Sequence, residues 1–225
     1  MVTTEKKACS SFYVKFVKRG FDFIISLIAL PFFAILYLVV GLAIKIEDGG
    51  PIFYKAERIG KNGSLLKMYK FRSMKVNAPN LLNPDGSTFN SATDSRVTKV
   101  GKIIRETSID EIPQILNILK GEMSIIGPRA SGYEALENYK EDEMDKMNVV
   151  PGITGYTQAY FRNGLSVRDK RLKDAWYAQN VSFSLDVKIF FKSISTVLKH
   201  ENIYTNEAEE TAPITANKEK ETIEQ

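Results

Sequence analysis

Cysteine and histidine are nearly absent from the 225-residue chain, at one each, Cys9 and His200. A single thiol cannot form an internal disulfide, so nothing requires an oxidising compartment, and Cys9 in a polar N-terminal segment reads as a surface thiol. With no Cys or His spacing that could build a zinc or iron site, any metal has to be held by oxygen ligands. Also missing is a strong charge of either sign: 31 Lys and Arg against 27 Asp and Glu leave a net +4. That mild excess suits phosphates, acidic lipids or nucleic acid. The basic residues are scattered along the chain, several of them beside its longest apolar run, which argues against nucleic acid. No internal repeat is present.

The chain is long enough for one domain with a real core. Residues 23–44, "FIISLIALPFFAILYLVVGLAI", carry no charge, and a helix of that length reaches across the ~30 Å hydrocarbon core of a bilayer. The run is too long for a signal-peptide core and no small-residue cleavage site closes it, so the anchor is expected to stay on the mature protein. Lys15, Lys18 and Arg19 precede it and Lys45, Lys55, Arg58 and Lys61 follow it, so flanking charge gives no orientation to a straight span. Pro31 removes one helical N–H and crowds the carbonyl of Leu27, which bends the helix near its middle. At this point a re-entrant helix and a kinked span both remain open. Arg19 and Asp22, three apart, are placed to pair at the membrane surface.

Beyond the anchor, "GGPIFYKAERIGKNGSLLKMYKFRSM" alternates apolar and aromatic stretches with Gly turns, which predicts one or two hairpins after a helix-ending Gly-Gly-Pro. Residues 77–96 read as a long loop, a mobile surface segment or a lid. In 185–199, Leu185, Ile189, Phe190, Ile194 and Val197 fall on a helical period away from Lys188, Lys192 and Lys199. That stripe fits either an interfacial helix on anionic lipid or a core-facing helix. Residues 205–225 have almost no large apolar side chain and are expected to be disordered.

The stretch "TSIDEIPQILNILKGEMSIIGPR", residues 107–129, sets two acids side by side at the start of an apolar helix. Ser108 and Glu111 match a capping box, Ile109, Ile112, Leu116 and Leu119 recur at helical spacing, and Lys120-Gly121 supplies a stop, which predicts a helix over about 109–120. Pro113 competes with that register and allows a later start. In either case Asp110 and Glu111 lie at the helix start, where free N–H groups favour anions. Neighbouring helical residues splay by roughly 100°, so the two acids can hold different roles: one carboxylate attacking phosphorus, the other ligating Mg²⁺. Arg105 and Arg129 are placed to bind phosphate oxygens. The plainer alternative is that both acids only complement the helix dipole.

Six blocks in collinear order, "KRGFDF", "GGPIFYKAERIGKNG", "YKFRSM", "SIDEIPQILNILKGEMSIIGPR", "VVPGITGYTQAYFRN" and "NVSFSLDVKI", running from about Lys18 to Lys199, resemble the bacterial sugar transferase family. These are the monotopic polyprenyl-phosphate phosphoglycosyl transferases, here in what looks like the minimal single-domain form. The resemblance implies transfer of a sugar phosphate from a UDP-sugar to a polyprenyl phosphate such as undecaprenyl phosphate, with release of UMP. It implies Asp110 as covalent nucleophile, Glu111 as Mg²⁺ ligand, and functional roles for Arg105, Arg129 and Asp186, with nucleotide or sugar contacts near Arg162 and Asn163. It also implies a re-entrant membrane helix broken at Pro31. Leu30 stands where many members have serine, and Phe161 replaces the family's glycine before the Arg-Asn pair. Lys18 and Arg19, before the membrane run, are candidates to attract the polyprenyl phosphate head group or acidic lipid.

The fold expectation is α/β or α+β, a mostly helical compact domain around a small sheet. A polar segment at 1–17 and the re-entrant helix at 18–48 precede a catalytic domain at 49–204, and a tail at 205–225 follows it. The expected place is the cytoplasmic face of the bacterial inner membrane, with membrane lipid as a partner; monomer and homodimer both stay open. The alternatives are a membrane-anchored phosphohydrolase with water as acceptor, or a catalytically silent membrane scaffold.

Overall fold

The computed structural model describes residues 11–82, 89, 91, 93–161, 164–198 and 214–215. A wide π-helical turn, Tyr13–Lys18, runs directly into the 30-residue helix α1, Arg19–Asp48, which Gly49 ends in a left-handed conformation at φ 70°. Together they form a 36-residue apolar helix, long and apolar enough to cross a membrane. Pro31 lies inside one continuous helix, so the break expected there is not seen. Its ring is on the outward face, where the forgone hydrogen bond disturbs no packing contact.

Asp22, Ser26, Phe33, Val40 and Ile44 make one buried stripe along α1, and Ile28, Phe32, Ile35, Leu38, Val39 and Ile46 stay exposed on its other sides. The buried face packs its Phe33, Val40 and Ile44 on Phe71, Ile104 and Ile115 of the domain. Polar contacts fasten both ends. Near the start, Arg19 Nη2 donates to the Leu119 carbonyl at 3.3 Å and the Ile125 N–H donates to Asp22 at 2.9 Å. Near the end, Glu47 accepts the N–H groups of Lys99 and Val100, and Asp48 pairs with Arg72. The expected Arg19–Asp22 pair is therefore replaced by separate contacts to the domain, since each group finds a backbone partner that a surface pair would leave exposed or unsatisfied.

The predicted hairpin forms from β1, Phe53–Ile59, and β2, Leu65–Phe71, in antiparallel register with Ala56 opposite Met68. Two strands alone are marginal in water. One face of the hairpin meets α1 through Phe53, which stacks on Tyr37 at 5.4 Å. Its outer edge is satisfied by a side chain: the fully buried Asn117 accepts the Tyr69 N–H at 2.9 Å and donates to the Lys67 carbonyl at 3.0 Å. Asn117→Ala leaves both backbone groups unpaired and is expected to cost about 1–3 kcal/mol, read as a lower denaturant midpoint.

Leu81–Leu82 (β3) pairs with Ile214–Thr215 (β6), two residues of the tail expected to be disordered. The remainder of the tail, and positions 83–88, 90 and 92 of the expected 77–96 loop, lie outside the described residues. Near the end of that loop Arg96 is tied back by Asp94 and by the Pro79 carbonyl. Helix α2, Lys99–Glu106, follows, capped by the Thr98 hydroxyl.

The expected helix over 109–120 is split: Ile109–Gln114 is a 3₁₀ segment, and helix α3 occupies only Ile115–Lys120. Pro113 lacks an N–H and disfavours helical geometry at Ile112, so regular helix starts after it. Ser108 is left-handed, at φ 57°, and makes no side-chain cap. The predicted capping box is therefore absent. The stop at Gly121 is real, with φ 88° and Arg19 packed 3.2 Å from where a Cβ would stand.

β4, Ser124–Ile126, and β5, Gly152–Thr154, run parallel, so close that a Cβ on Gly152 would lie 2.1 Å from the Gly127 nitrogen. Helices α4 (Tyr156–Tyr160), α5 (Val167–Asn180) and α6 (Phe183–Leu198) complete the domain. A second core gathers Ile126, Val149, Tyr177 and Ile189. The α6 stripe is divided. Ile189 is buried while Phe190 and Ile194 are exposed, as are Phe183 and Phe191 elsewhere on the helix. The architecture is the mostly helical α+β arrangement expected, with its strands in small two-stranded pairs.

Candidate active site

The acidic pair sits where α2, the hairpin and the segment after β4 converge. In 3₁₀ geometry neighbouring side chains diverge by roughly 120°, and Asp110 and Glu111 meet different surroundings. Lys70, on the same face of β2 as buried Met68 and Leu66, places its ammonium 2.6 Å from Glu111 Oε1. Arg129, just beyond β4, reaches the same oxygen at 3.4 Å. Burial acts to raise the Glu111 pKa, but the Lys70 and Arg129 charges prevail and hold it at about 2. Glu111 is thus a fixed anion.

Asp110 differs. Among the described residues no group hydrogen-bonds its carboxylate. Burial pushes its pKa above the ordinary carboxylate range, with neighbouring Glu111 adding to the effect against the nearby charges of Lys70, Arg105 and Arg129. A carboxylate short of partners keeps its lone pairs available and is the better nucleophile of the two. Arg58 of β1 joins the cationic wall; burial and the adjacent Arg129 charge work against its protonation, while Glu134 and Glu111 support it. Four cations around two acids suit a ligand with more than one negative charge, such as a diphosphate.

Of the residues expected at the site, the structure brings together Asp110, Glu111, Arg105 and Arg129. Lys18, Arg19 and Asp186 contact neither acid. The Asp186 carboxylate receives Lys18 at 2.6 Å, the Tyr13 hydroxyl at 2.7 Å and the Tyr177 hydroxyl at 2.6 Å. The Lys18 and Asp186 side chains are only 11% and 5% exposed. Arg19 is turned to the carbonyls of Leu119, in the last turn of α3, and of Met123, beyond its end. These three join α1 to α5, α6 and α3, and their charges are met inside the protein. Arg162 and Asn163 lie outside the described residues. Phe161, standing for the family's glycine, packs with Tyr156 under the Lys173 ammonium.

Sequence reasoning missed Lys70 and Arg58. Strand alternation carried the available signal: Arg58 and Lys70 share a face with Ala56, Leu66 and Met68, the side of the hairpin turned to the domain.

Among the described residues no group of three or more acidic, His or Cys side chains is placed to hold a metal ion. A single Mg²⁺ still fits the donor set. Lys70 and Arg129 both occupy Oε1 of Glu111, leaving Oε2 available on a carboxylate that stays ionised. Mg²⁺ characteristically takes one or two carboxylates and completes its octahedron with phosphate oxygens and water.

The family described as bacterial sugar transferase matches residues 13–200 of the chain. Over 189 residues the chain is 40% identical to the UDP-N-acetylgalactosamine-undecaprenyl-phosphate N-acetylgalactosaminephosphotransferase of Aeromonas hydrophila, covering 81% of this chain and 44% of that protein. It is 35% identical to the undecaprenyl-phosphate galactose phosphotransferase of Salmonella typhimurium, covering 84% of this chain and 42% of the relative. The exopolysaccharide production protein ExoY of Rhizobium meliloti is 39% identical, with 80% of this chain and 84% of the relative aligned. The chain thus spans less than half the length of the first two relatives and most of the third.

Proposed function

The chain belongs to the bacterial sugar transferase family, and from that premise we propose that it transfers a sugar phosphate from a UDP-sugar to undecaprenyl phosphate through a covalent intermediate on Asp110. The observation that carries this reading is the contrast within the acidic pair: Asp110, which has no hydrogen-bonding partner among the described residues, stands beside Glu111, held by Lys70 and Arg129. The names of two relatives supply the acceptor class.

In the first half-reaction an Asp110 oxygen attacks the phosphorus bearing the sugar. The bond from that phosphorus to the bridging oxygen breaks, and UMP leaves with the electron pair. Arg129, Arg105 and Lys70 neutralise the charge that builds on the phosphate oxygens. In the second half-reaction an oxygen of undecaprenyl phosphate attacks the same phosphorus, the aspartyl bond breaks, and the carboxylate is restored. Glu111 would hold Mg²⁺, which when bound supplies positive charge to the donor phosphates. The Lys70 and Arg129 contacts keep Glu111 ionised and oriented before any ligand arrives.

The reading also places the protein on the cytoplasmic face of the inner membrane, with α1 dipping into one leaflet. Support comes from how α1 is held: Asp22 and Glu47, roughly 38 Å apart along the helix, both bind the same domain. A helix crossing the bilayer would draw that domain in with it. The exposed aromatic residues of α6 and of the Tyr13–Lys18 turn region, Phe183, Phe191, Phe12 and Phe16, extend the lipid-facing surface.

For the metal, activity is expected to vanish with EDTA and return with Mg²⁺. Glu111→Gln should raise the Mg²⁺ requirement by at least ~10-fold. Full activity of that variant at limiting Mg²⁺ would remove Glu111 from the metal site. For the reaction as a whole, UMP release from UDP-sugars is measured with and without undecaprenyl phosphate. Continuous turnover that ignores the lipid would make water the acceptor and end the transferase reading.

A further inference from the structure

We propose that the buried Lys146–Asp174 ion pair, with Ser131 and Tyr139, is a positioning device that holds the backbone segment carrying Arg129. Its catalytic consequence rests on the function proposed above. Asp174 on α5 is 1% exposed. One of its oxygens accepts the Thr157 hydroxyl at 2.8 Å, and the other pairs with Lys146 at 3.1 Å. Lys146 also donates to the Ser131 hydroxyl oxygen at 3.1 Å, which accepts the Tyr139 hydroxyl at 2.7 Å. The chain of contacts thus runs from the interior of α5 to a residue two positions beyond Arg129.

The arrangement has a physical reason to exist. The Arg129 side chain is 57% exposed and its one side-chain partner, Glu111, is at a long 3.4 Å, so solvent competes for it and that contact alone holds it loosely. Its backbone has to do so. Pro128 is held by the Gly152 N–H on its carbonyl, and Ser131 by the Ile59 N–H on its own carbonyl, both at 2.9 Å. Beneath the same segment lies a small cavity lined by Pro128, Arg129, Ser131, Tyr139, Lys146 and Met147. The donors to Ser131 come from two of the residues that line this gap and tie the segment across it. The Arg129 N–H itself faces Asp174. A buried ion pair is a weak source of stability compared with an apolar pair of the same size. Its benefit here is direction: it sets Arg129 against Glu111 and the donor phosphates.

The test uses the full chain in detergent or nanodiscs, as wild type, Ser131→Ala, Tyr139→Phe, Asp174→Asn, Arg129→Ala, and the doubles of each with Arg129→Ala. Hydrogen exchange is read over 127–132, and kcat and donor KM for UMP release with undecaprenyl phosphate. Ser131→Ala and Asp174→Asn should speed exchange in 127–132 with other segments unchanged, and lower kcat by roughly 10- to 100-fold, the loss that a displacement near 1 Å brings. Combined with Arg129→Ala, each should cost less than about twofold more, because the effect travels through that side chain. Equal losses in the two backgrounds, or unchanged exchange at 127–132, overturn the proposal. Should Asp174→Asn fail to fold, Ser131→Ala and Tyr139→Phe carry the same comparison from the loop side. A wild type inert toward every donor defeats the transferase reading, and the exchange measurement still decides the positioning role on its own.

Discussion

With donor alone and no polyprenyl acceptor, the protein is expected to acquire one covalently attached sugar phosphate on Asp110 and to release about one UMP per chain. Asp110→Asn preserves size and hydrogen-bonding ability but removes the anionic nucleophile, so adduct and turnover should both disappear. A carboxylate serving only as a dipole partner would cost just ~0.3–1 kcal/mol of stability when replaced, with turnover intact. The surroundings of Asp110 sharpen the comparison. Since no described group hydrogen-bonds its carboxylate, the Asn variant leaves no partner stranded and its fold should be preserved. Intact mass spectrometry of the protein after incubation with donor, followed by peptide mapping, reads the result. An adduct mapped elsewhere would move the nucleophile to another residue, and full turnover by the Asn variant with no label on the protein would favour direct transfer between the two substrates.

The second large effect is on stability. Asp186 gathers Lys18, Tyr13 and Tyr177 in a nearly closed environment, and its removal leaves a buried ammonium without its counter-charge. Asp186→Ala is expected to cost about 3–5 kcal/mol. That loss should appear as a lower thermal midpoint and as faster proteolysis near the Tyr13–Lys18 turn. The double variant Lys18→Met with Asp186→Leu removes both charges and should recover most of the loss, because nothing charged is then left unpaired. The same double variant separates two roles. If the pair only locks α1 to α5 and α6, recovered stability brings recovered activity; if it binds the acceptor phosphate, stability returns and transfer does not.

What the sequence could disclose follows the range of the interactions. The hairpin was readable because strand alternation and its Gly turn are local, and the stop at Gly121 because the left-handed residue is itself the signal. The acidic pair was readable through its blocks. Pro113 opposes a regular helix over 109–120 by its own chemistry, yet the left-handed Ser108 and the 3₁₀ segment depend on how that turn packs against β2. Lys70 meets Glu111 across 41 positions and Lys18 meets Asp186 across 168. Pairings of that separation leave no periodic trace. Without them, Lys18, Arg19 and Asp186 look like free surface charges awaiting a phosphate, whereas inside the fold their partners are already present. The continuity of α1 through Pro31 was hidden for a related reason: whether a proline breaks a helix depends on what surrounds it.

The fastening of α1 to the domain at both ends has a mechanical consequence. A lone membrane helix answers a thicker or thinner bilayer by tilting on its own. Here the helix and the domain would have to rotate as one piece, because Arg19 and Asp22 grip one end and Glu47 and Asp48 the other. In the membrane arrangement proposed above, a change in lipid chain length would then alter the angle at which Asp110 faces the bilayer surface, and with it the height at which an acceptor head group must present its oxygen. Turnover should peak at one acyl length in vesicles of defined composition, while UMP release in the first half-reaction, whose donor comes from water, stays nearly flat.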